Sequence, residues 1–185
     1  MSSVAISEDT NTGKLWYMII TAFVLTLDQF TKYWAAINLS EGDEVHLVQG
    51  LLKFSYTENP GIAFGMLGDG SLRWVLVTVS VAAIIIVTFY MMRTSASNSL
   101  LLWSLALLAA GICGNLIDRI RLGRVIDFIE AYYRGYHFPV FNVADTAITI
   151  GAALMAIELF FAPHQKEATV AEHGESPQLE ATGDE

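Results

Sequence analysis

Cysteine is nearly missing from this chain of 185 residues: Cys113 stands alone. That excludes an intrachain disulfide and any cysteine-built metal centre. Charge is sparse as well. Only 16% of the residues are charged and 54% are hydrophobic, a balance that excludes an ordinary soluble domain and points to an integral membrane protein. Ten basic residues face nineteen acidic ones, for a net charge of −9, which argues against a nucleic-acid partner. Six of the acids (Glu167, Glu172, Glu175, Glu180, Asp184, Glu185) fall in the last nineteen residues, so the acidity belongs mainly to a tail. There is no HExxH and no paired-cysteine spacing, so no metal is expected. Nor is a cleavable leader read. Residues 1–14 are polar, with Glu8 and Asp9, and the apolar segment after them lacks a small-residue cleavage site.

What is present is a set of long apolar windows. Residues 74–92 and 99–117 are each nineteen residues without a charge, enough at about 1.5 Å per residue to reach across the hydrocarbon core of a bilayer. Two more windows are apolar but interrupted: 15–39 carries Asp28 and Lys32, and 139–162 carries Asp145 and Glu158. Four helices is the economical reading. Between the first two windows, residues 45–48 and 51–56 read as short strands separated by Gln49-Gly50, with a turn at Asn59-Pro60-Gly61. Residues 124–133 read as an amphipathic segment lying at the interface. The fold class is therefore an all-α membrane protein of four transmembrane helices, with a small β-sheet and an interfacial amphipathic segment. One domain spans 15–162, between an N-tail at 1–14 and an acidic tail at 163–185 expected to be disordered.

Alternating helix direction gathers the polar residues. Asp28 late in the first window, Asn115, Asp118 and Arg119 at the end of the third, and Asp145 early in the fourth all fall toward one face of the membrane. Counting arginines and lysines by side would place that face in the cytoplasm. Asp28 and Lys32 are four apart on one helix face, read either as a buried ion pair or as part of the chemistry. Asn59 sits in turn chemistry. Asn115 and Arg119, also four apart, project from one face, and Arg119 can meet a lipid phosphate, a substrate carbonyl, or Asp118 or Asp127. Ala110, Gly111 and Gly114 form a small-residue patch that lets another helix approach. Asp127 and Asp145 are carboxylates in apolar settings. A carboxylate at membrane depth is costly unless paired or used, and two together suggest a dyad that shares a proton and activates water. A small proton-coupled transporter is the alternative, with intramembrane carboxylates lining an ion path.

Five segments stand in order: Asp28-Gln29-Phe30-Thr31-Lys32, Asn59-Pro60-Gly61-Ile62-Ala63-Phe64, Gly114-Asn115-Leu116-Ile117-Asp118-Arg119, Val125-Ile126-Asp127-Phe128 and Phe141-Asn142-Val143-Ala144-Asp145. In this the chain resembles lipoprotein signal peptidase, or signal peptidase II. The resemblance implies an aspartyl endopeptidase of the bacterial inner membrane, with both termini cytoplasmic and the site near the outer leaflet, against the arginine count. The substrate implied is a prolipoprotein bearing diacylglycerol on the cysteine next to the cut, handled by a monomer in contact with membrane lipid, with no cofactor. By motif matching, Asp127 and Asp145 fall on the catalytic pair, Asn59, Asn115, Arg119 and Asn142 on polar residues around it, and Asp28 and Lys32 on supporting positions.

Overall fold

A long apolar stretch can satisfy its backbone in lipid only by closing its own hydrogen bonds, and among the described residues three stretches do so as helices long and apolar enough to cross a membrane: Leu72–Arg93, Ser99–Leu122 and Val143–Phe161. The structure, a computed structural model, describes residues 4–40, 42–61 and 71–161. The acidic tail at 163–185 and the apolar run at 62–65 lie outside the described residues. The helices are α1 (Val4–Asn38), α2 (Ser71–Arg93), α3 (Ser99–Leu122) and α4 (Val143–Phe161). α1 starts well before the apolar window at 15–39, so the N-tail expected at 1–14 is helical from Val4. Extending a formed helix costs far less than nucleating one.

Their ends follow the capping chemistry. Asn98 accepts from Leu101 N at the start of α3, and Gly123, in the left-handed conformation with φ 78°, returns its N–H to the Arg119 carbonyl at the end. α3 is the central helix: α1, α2 and α4 each pack on it. The expected small-residue patch makes the tightest of these contacts. At Gly111 an added Cβ would lie 2.3 Å from the Ala144 carbonyl of α4, and at Gly114 it would lie 2.4 Å from Asp28 Oδ2 of α1. From the α4 side, Gly151 lets Ser104 Oγ donate to its carbonyl at 2.9 Å. Large apolar side chains on α2, among them Trp74, Ile85 and Phe89, point outward and stay exposed, as a lipid-facing helix requires.

The sheet sits at the end of the bundle where α1 and α3 stop and α4 starts. Its strands are β1 (Glu44–Val48), β2 (Leu52–Asn59), β3 (Val125–Tyr133) and β4 (Tyr136–His137), antiparallel in the order β1-β2-β3-β4. The two strands expected at 45–48 and 51–56 are present, the second running on to Asn59. The segment at 124–133 is a correction. It forms no separate amphipathic piece but is β3, an inner strand of the sheet, buried on both faces from Val125 to Phe128. Phe128 packs with Ala35 of α1 and with Leu39 just past its end, so its burial comes from neighbouring chain rather than from the strand's own alternation. β3 turns into β4 through Arg134 (φ 49°) and Gly135 (φ 86°), the two positive φ angles of a tight hairpin. The chain then returns: Phe128 N and Ile129 N donate to the Phe141 carbonyl at 3.0 and 2.8 Å, and Phe141 N donates to Ile129 O at 2.9 Å. This pairing holds residue 141 against β3 and delays α4 to Val143, four residues after the window begins at Pro139.

Replacing Gly111 by Ala forces α4 away from α3, because the clash is with backbone. A loss of about 1–3 kcal/mol is expected for overpacking of this kind. Thermal unfolding in detergent checks it, and an unchanged midpoint would contradict this account of the α3–α4 contact.

Candidate active site

Around Lys32 three charges are packed out of water. Lys32 Nζ lies 3.0 Å from Asp28 Oδ2 and 2.8 Å from Asp118 Oδ2, and the three residues are at most 3% exposed. Burying such charges is tolerable only when their remaining donors and acceptors are also satisfied, and here they are. Asp28 Oδ1 accepts from Ala144 N at 2.8 Å, an anion at the positive end of α4. Asp118 Oδ2 accepts from Ile126 N at 3.4 Å. Gln29 Nε2 donates to Asp28 Oδ2, Asp118 Oδ1 and the Gly114 carbonyl at 3.2, 3.1 and 3.2 Å. Lys32 also donates to Asn115 Oδ1 at 2.9 Å. The Asp28–Lys32 ion pair read from the sequence is therefore one edge of a larger cluster joining α1, α3, β3 and α4. Asp118 and Gln29 were missed as site residues. The available signal was spacing, since Asp118 stands three residues after Asn115 on the same face of α3.

Asp145 belongs to a capping box. Asn142 precedes the first turn of α4, and its Oδ1 accepts from Asp145 N at 2.8 Å while Asp145 Oδ2 accepts from Asn142 N at 3.2 Å. The other oxygen, Oδ1, accepts from Asn115 Nδ2 at 2.7 Å. Asp127 lies on β3 opposite Thr57 of β2. Its Oδ1 accepts from Asn142 Nδ2 at 2.6 Å and its Oδ2 from Asn59 Nδ2 at 3.0 Å. Asn59, the last residue of β2, is held by Gly61 N donating to its Oδ1 at 2.8 Å, so it closes the turn and reaches Asp127 at once. Asn142 thus bonds to both carboxylates, and Asn142 Nδ2 also reaches Asn115 Oδ1 at 3.3 Å. One network joins Asp127, Asp145, Asn59, Asn115, Asn142, Lys32 and Asp28.

Arg119 is half-buried near the end of α3. Its Nη1 reaches back to the Asn115 carbonyl at 3.4 Å, and the charges of Asp145, Asp118 and Asp127 act on it. It lines a groove of about 320 Å³ together with Asn115, Asp145 and apolar residues of α2, α3 and α4. A second groove of about 310 Å³ meets Asp145 from the other side of α4, between Phe141 and Ile150. Asp127 itself is 2% exposed. Burial pushes its carboxyl up, to about 6; the Asn59 amide opposes the rise, the nearby charge of Asp145 adds to it, and the Asn142 amide opposes it. Among the described residues no group of three or more histidine, cysteine or acidic side chains is placed to hold a metal ion.

Known proteins match this arrangement over most of its length. The family model described as Signal peptidase (SPase) II matches residues 20–161. The lipoprotein signal peptidase of Solibacter usitatus is 36% identical over 155 residues, covering 82% of this chain and 94% of the relative. That of Geobacter sulfurreducens is 42% identical over 149 residues, covering 77% and 92%. A solved structure described as a bacterial membrane enzyme, determined by the in meso method at 2.3 Å resolution, superposes with a TM-score of 0.71 at 32% identity, over 82% of this chain and 92% of that one. All five motif segments fall inside the matched region, and the chain belongs to the signal peptidase II family.

Proposed function

We propose that Asp127 and Asp145 are the catalytic pair with which this signal peptidase II removes the signal peptide of a prolipoprotein. The observation that carries the reading is the single asparagine, Asn142, whose amide bonds to Asp127 while it shares a capping box with Asp145. Family membership makes the chain an aspartic endopeptidase of a multi-pass bacterial membrane protein class, and the transporter alternative falls with it.

The reaction needs one proton between two carboxyls. Asp127, raised to about 6 by burial, holds it, and a peptide closing over the site removes more water and pushes it further the same way. The role of base falls to Asp145, which lies at the positive end of α4. It takes a proton from water as the oxygen attacks the scissile carbonyl, while Asp127 donates its hydrogen bond to that carbonyl. The tetrahedral intermediate carries its developing negative charge toward Asp127, Arg119 and the neighbouring asparagine amides. Asp145 then returns its proton to the leaving amine as the C–N bond breaks and the carbonyl reforms, while Asp127 keeps its own throughout. No covalent intermediate is required, and no cofactor takes part.

In this reading α1 is the fourth span. Its charged residues Asp28 and Lys32 turn inward against α3, which supports a lipid-facing exterior made of residues such as Phe23 and Phe30. The termini lie in the cytoplasm and the sheet, with the pair beneath it, lies near the outer leaflet of the inner membrane. The enzyme acts as a monomer on a prolipoprotein whose cysteine carries diacylglycerol, its acyl chains lying among lipid and apolar helix faces.

Asp127→Asn and Asp145→Asn, purified folded, are each expected to lose roughly 10²- to 10⁴-fold or more in cleavage of a diacylglyceryl prolipoprotein, the range for losing a general acid or base. The size shift of the substrate reports it, and near-wild-type turnover in either variant would sink the mechanism. A second expectation concerns stability. A carboxyl whose folded value lies above its unfolded value of about 3.9 contributes stability that is present below that value and lost as pH rises through about 6. Asp127→Asn cannot lose it. The stability of the variant relative to wild type should therefore climb between pH about 4 and 6, by up to about 3 kcal/mol, and then level. Unfolding in detergent across that range measures it; a flat difference means that Asp127 is not held protonated.

A further inference from the structure

An amide beside a carboxylate can face it with either end, and the end it presents decides whether the carboxylate is favoured with or without its proton. Asn115 stands between Lys32 and Asp145. Its Oδ1 is 2.9 Å from Lys32 Nζ and 3.3 Å from Asn142 Nδ2, and its Nδ2 is 2.7 Å from Asp145 Oδ1. A lysine ammonium has three donors and no acceptor, so the oxygen must face it. Flipped, Asn115 would set its N–H groups against an ammonium and another amide N–H. It would also set its oxygen against Asp145 Oδ1, a contact only a protonated carboxyl satisfies. Asn142 cannot relieve this by flipping too, because its Oδ1 already accepts from Asp145 N. Lys32 is held where it is by Asp28 and Asp118, and Gln29 ties those two acids together.

We propose that Lys32, paired with Asp28 and Asp118, is a positioning residue for the reaction: acting through Asn115, it keeps an amide N–H rather than an amide oxygen turned onto Asp145, the carboxylate that deprotonates water. This rests on the reading of Asp127 and Asp145 as the catalytic pair. The charged groups around the network are Lys32 and Asp28 on α1, Asp118 and Arg119 on α3, and Asp127 on β3. α2 brings Val79, Ser80 and Ala83 to the groove beside Asp145, and none of these is charged. Only Lys32 reaches Asp145 through an amide that it orients.

The test combines Lys32→Met with Asp118→Asn, removing one charge of each sign so that the buried cluster keeps its net charge. With Asn115 released, kcat is expected to fall on the order of 10- to 100-fold, with KM changed by less than about threefold. The acid limb of the kcat/KM profile should move to higher pH, because the freed amide can turn its oxygen to a protonated Asp145. Asp118→Asn alone leaves Lys32 paired with Asp28 and donating to Asn115 Oδ1, and should leave that limb in place. An unchanged rate, or a lower rate with an unmoved limb, overturns the proposal, since a purely structural role lowers activity without shifting the profile. A measurement on the wild-type enzyme needs no variant to fold. The side-chain amide of Asn115, followed by ¹⁵N NMR in detergent, should exchange slowly with solvent and shift across the acid limb; a freely exchanging, pH-insensitive amide overturns it. Asp145→Asn separates the two readings. Full cleavage by that variant removes the catalytic pair itself, whereas an inactive Asp145→Asn together with a wild-type profile in the double variant removes only the Lys32 relay.

Discussion

One ammonium group, Lys32 Nζ between Asp28 and Asp118, is the constraint on which the rest of the site depends. Two acids and one base buried among apolar helices would cost several kcal/mol each if left unmatched. Matching them joins four elements, α1, α3, β3 and α4, at one point. Asp28 receives the first turn of α4 through Ala144 N, and Asp118 receives the start of β3 through Ile126 N. The strand carrying Asp127 and the helix carrying Asp145 are therefore both attached to the same ion cluster. Gly114 is part of this arrangement, because any side chain there would occupy the place of the Asp28 carboxylate.

Asp145 serves two ends. As the third residue of α4 it closes a capping box with Asn142, which satisfies backbone N–H groups that a helix start otherwise leaves open. The same placement puts a carboxylate at the positive end of the helix and in line with Asn115. The residue that closes the helix start is thereby oriented by the same hydrogen bonds, with Asn115 holding its other oxygen. Asn142 shows the same economy, with its oxygen committed to the helix and its amide to Asp127.

Much of this was legible in the sequence, and the parts that were not have identifiable causes. Nineteen-residue windows without a charge could hardly be anything but spanning helices, and α2 and α3 contain them. The small residues of α3 were readable as a contact, since only close approach rewards glycine in a helix interior. β3 was harder. Val-Ile-Asp-Phe-Ile-Glu has no clean alternation, because α1 covers one face of the strand while the other lies toward the site. Its β-branched and aromatic content, with Arg134-Gly135 between pairs of aromatic or polar residues, was the strand signal that the amphipathic reading passed over. Gln29 and Asp118 lie inside the motif segments, yet nothing in those segments says what they bind. Asp118 and Gln29 bind other side chains rather than anything in solvent, and spacing along one helix does not reveal a partner on another.

The two carboxylates belong to elements that fold by different rules, a strand and a helix start, and their relation is set by the short return from His137 to Asn142. Three backbone bonds between Phe141 and residues 128 and 129 fix that return. Because Phe141 is pinned to β3, Asn142 must fall beside Asp127, and because Asn142 caps α4, Asp145 must follow one turn later. A catalytic constellation loses its effect when displaced by about an ångström. Here the displacement is resisted by main-chain hydrogen bonds instead of by side-chain packing alone. Outward-facing helices such as α2, with large apolar side chains exposed, offer the carboxylates little packing from outside. The carboxylate separation then depends on the hairpin return and the ion cluster, and much less on how the outer helices sit in the bilayer.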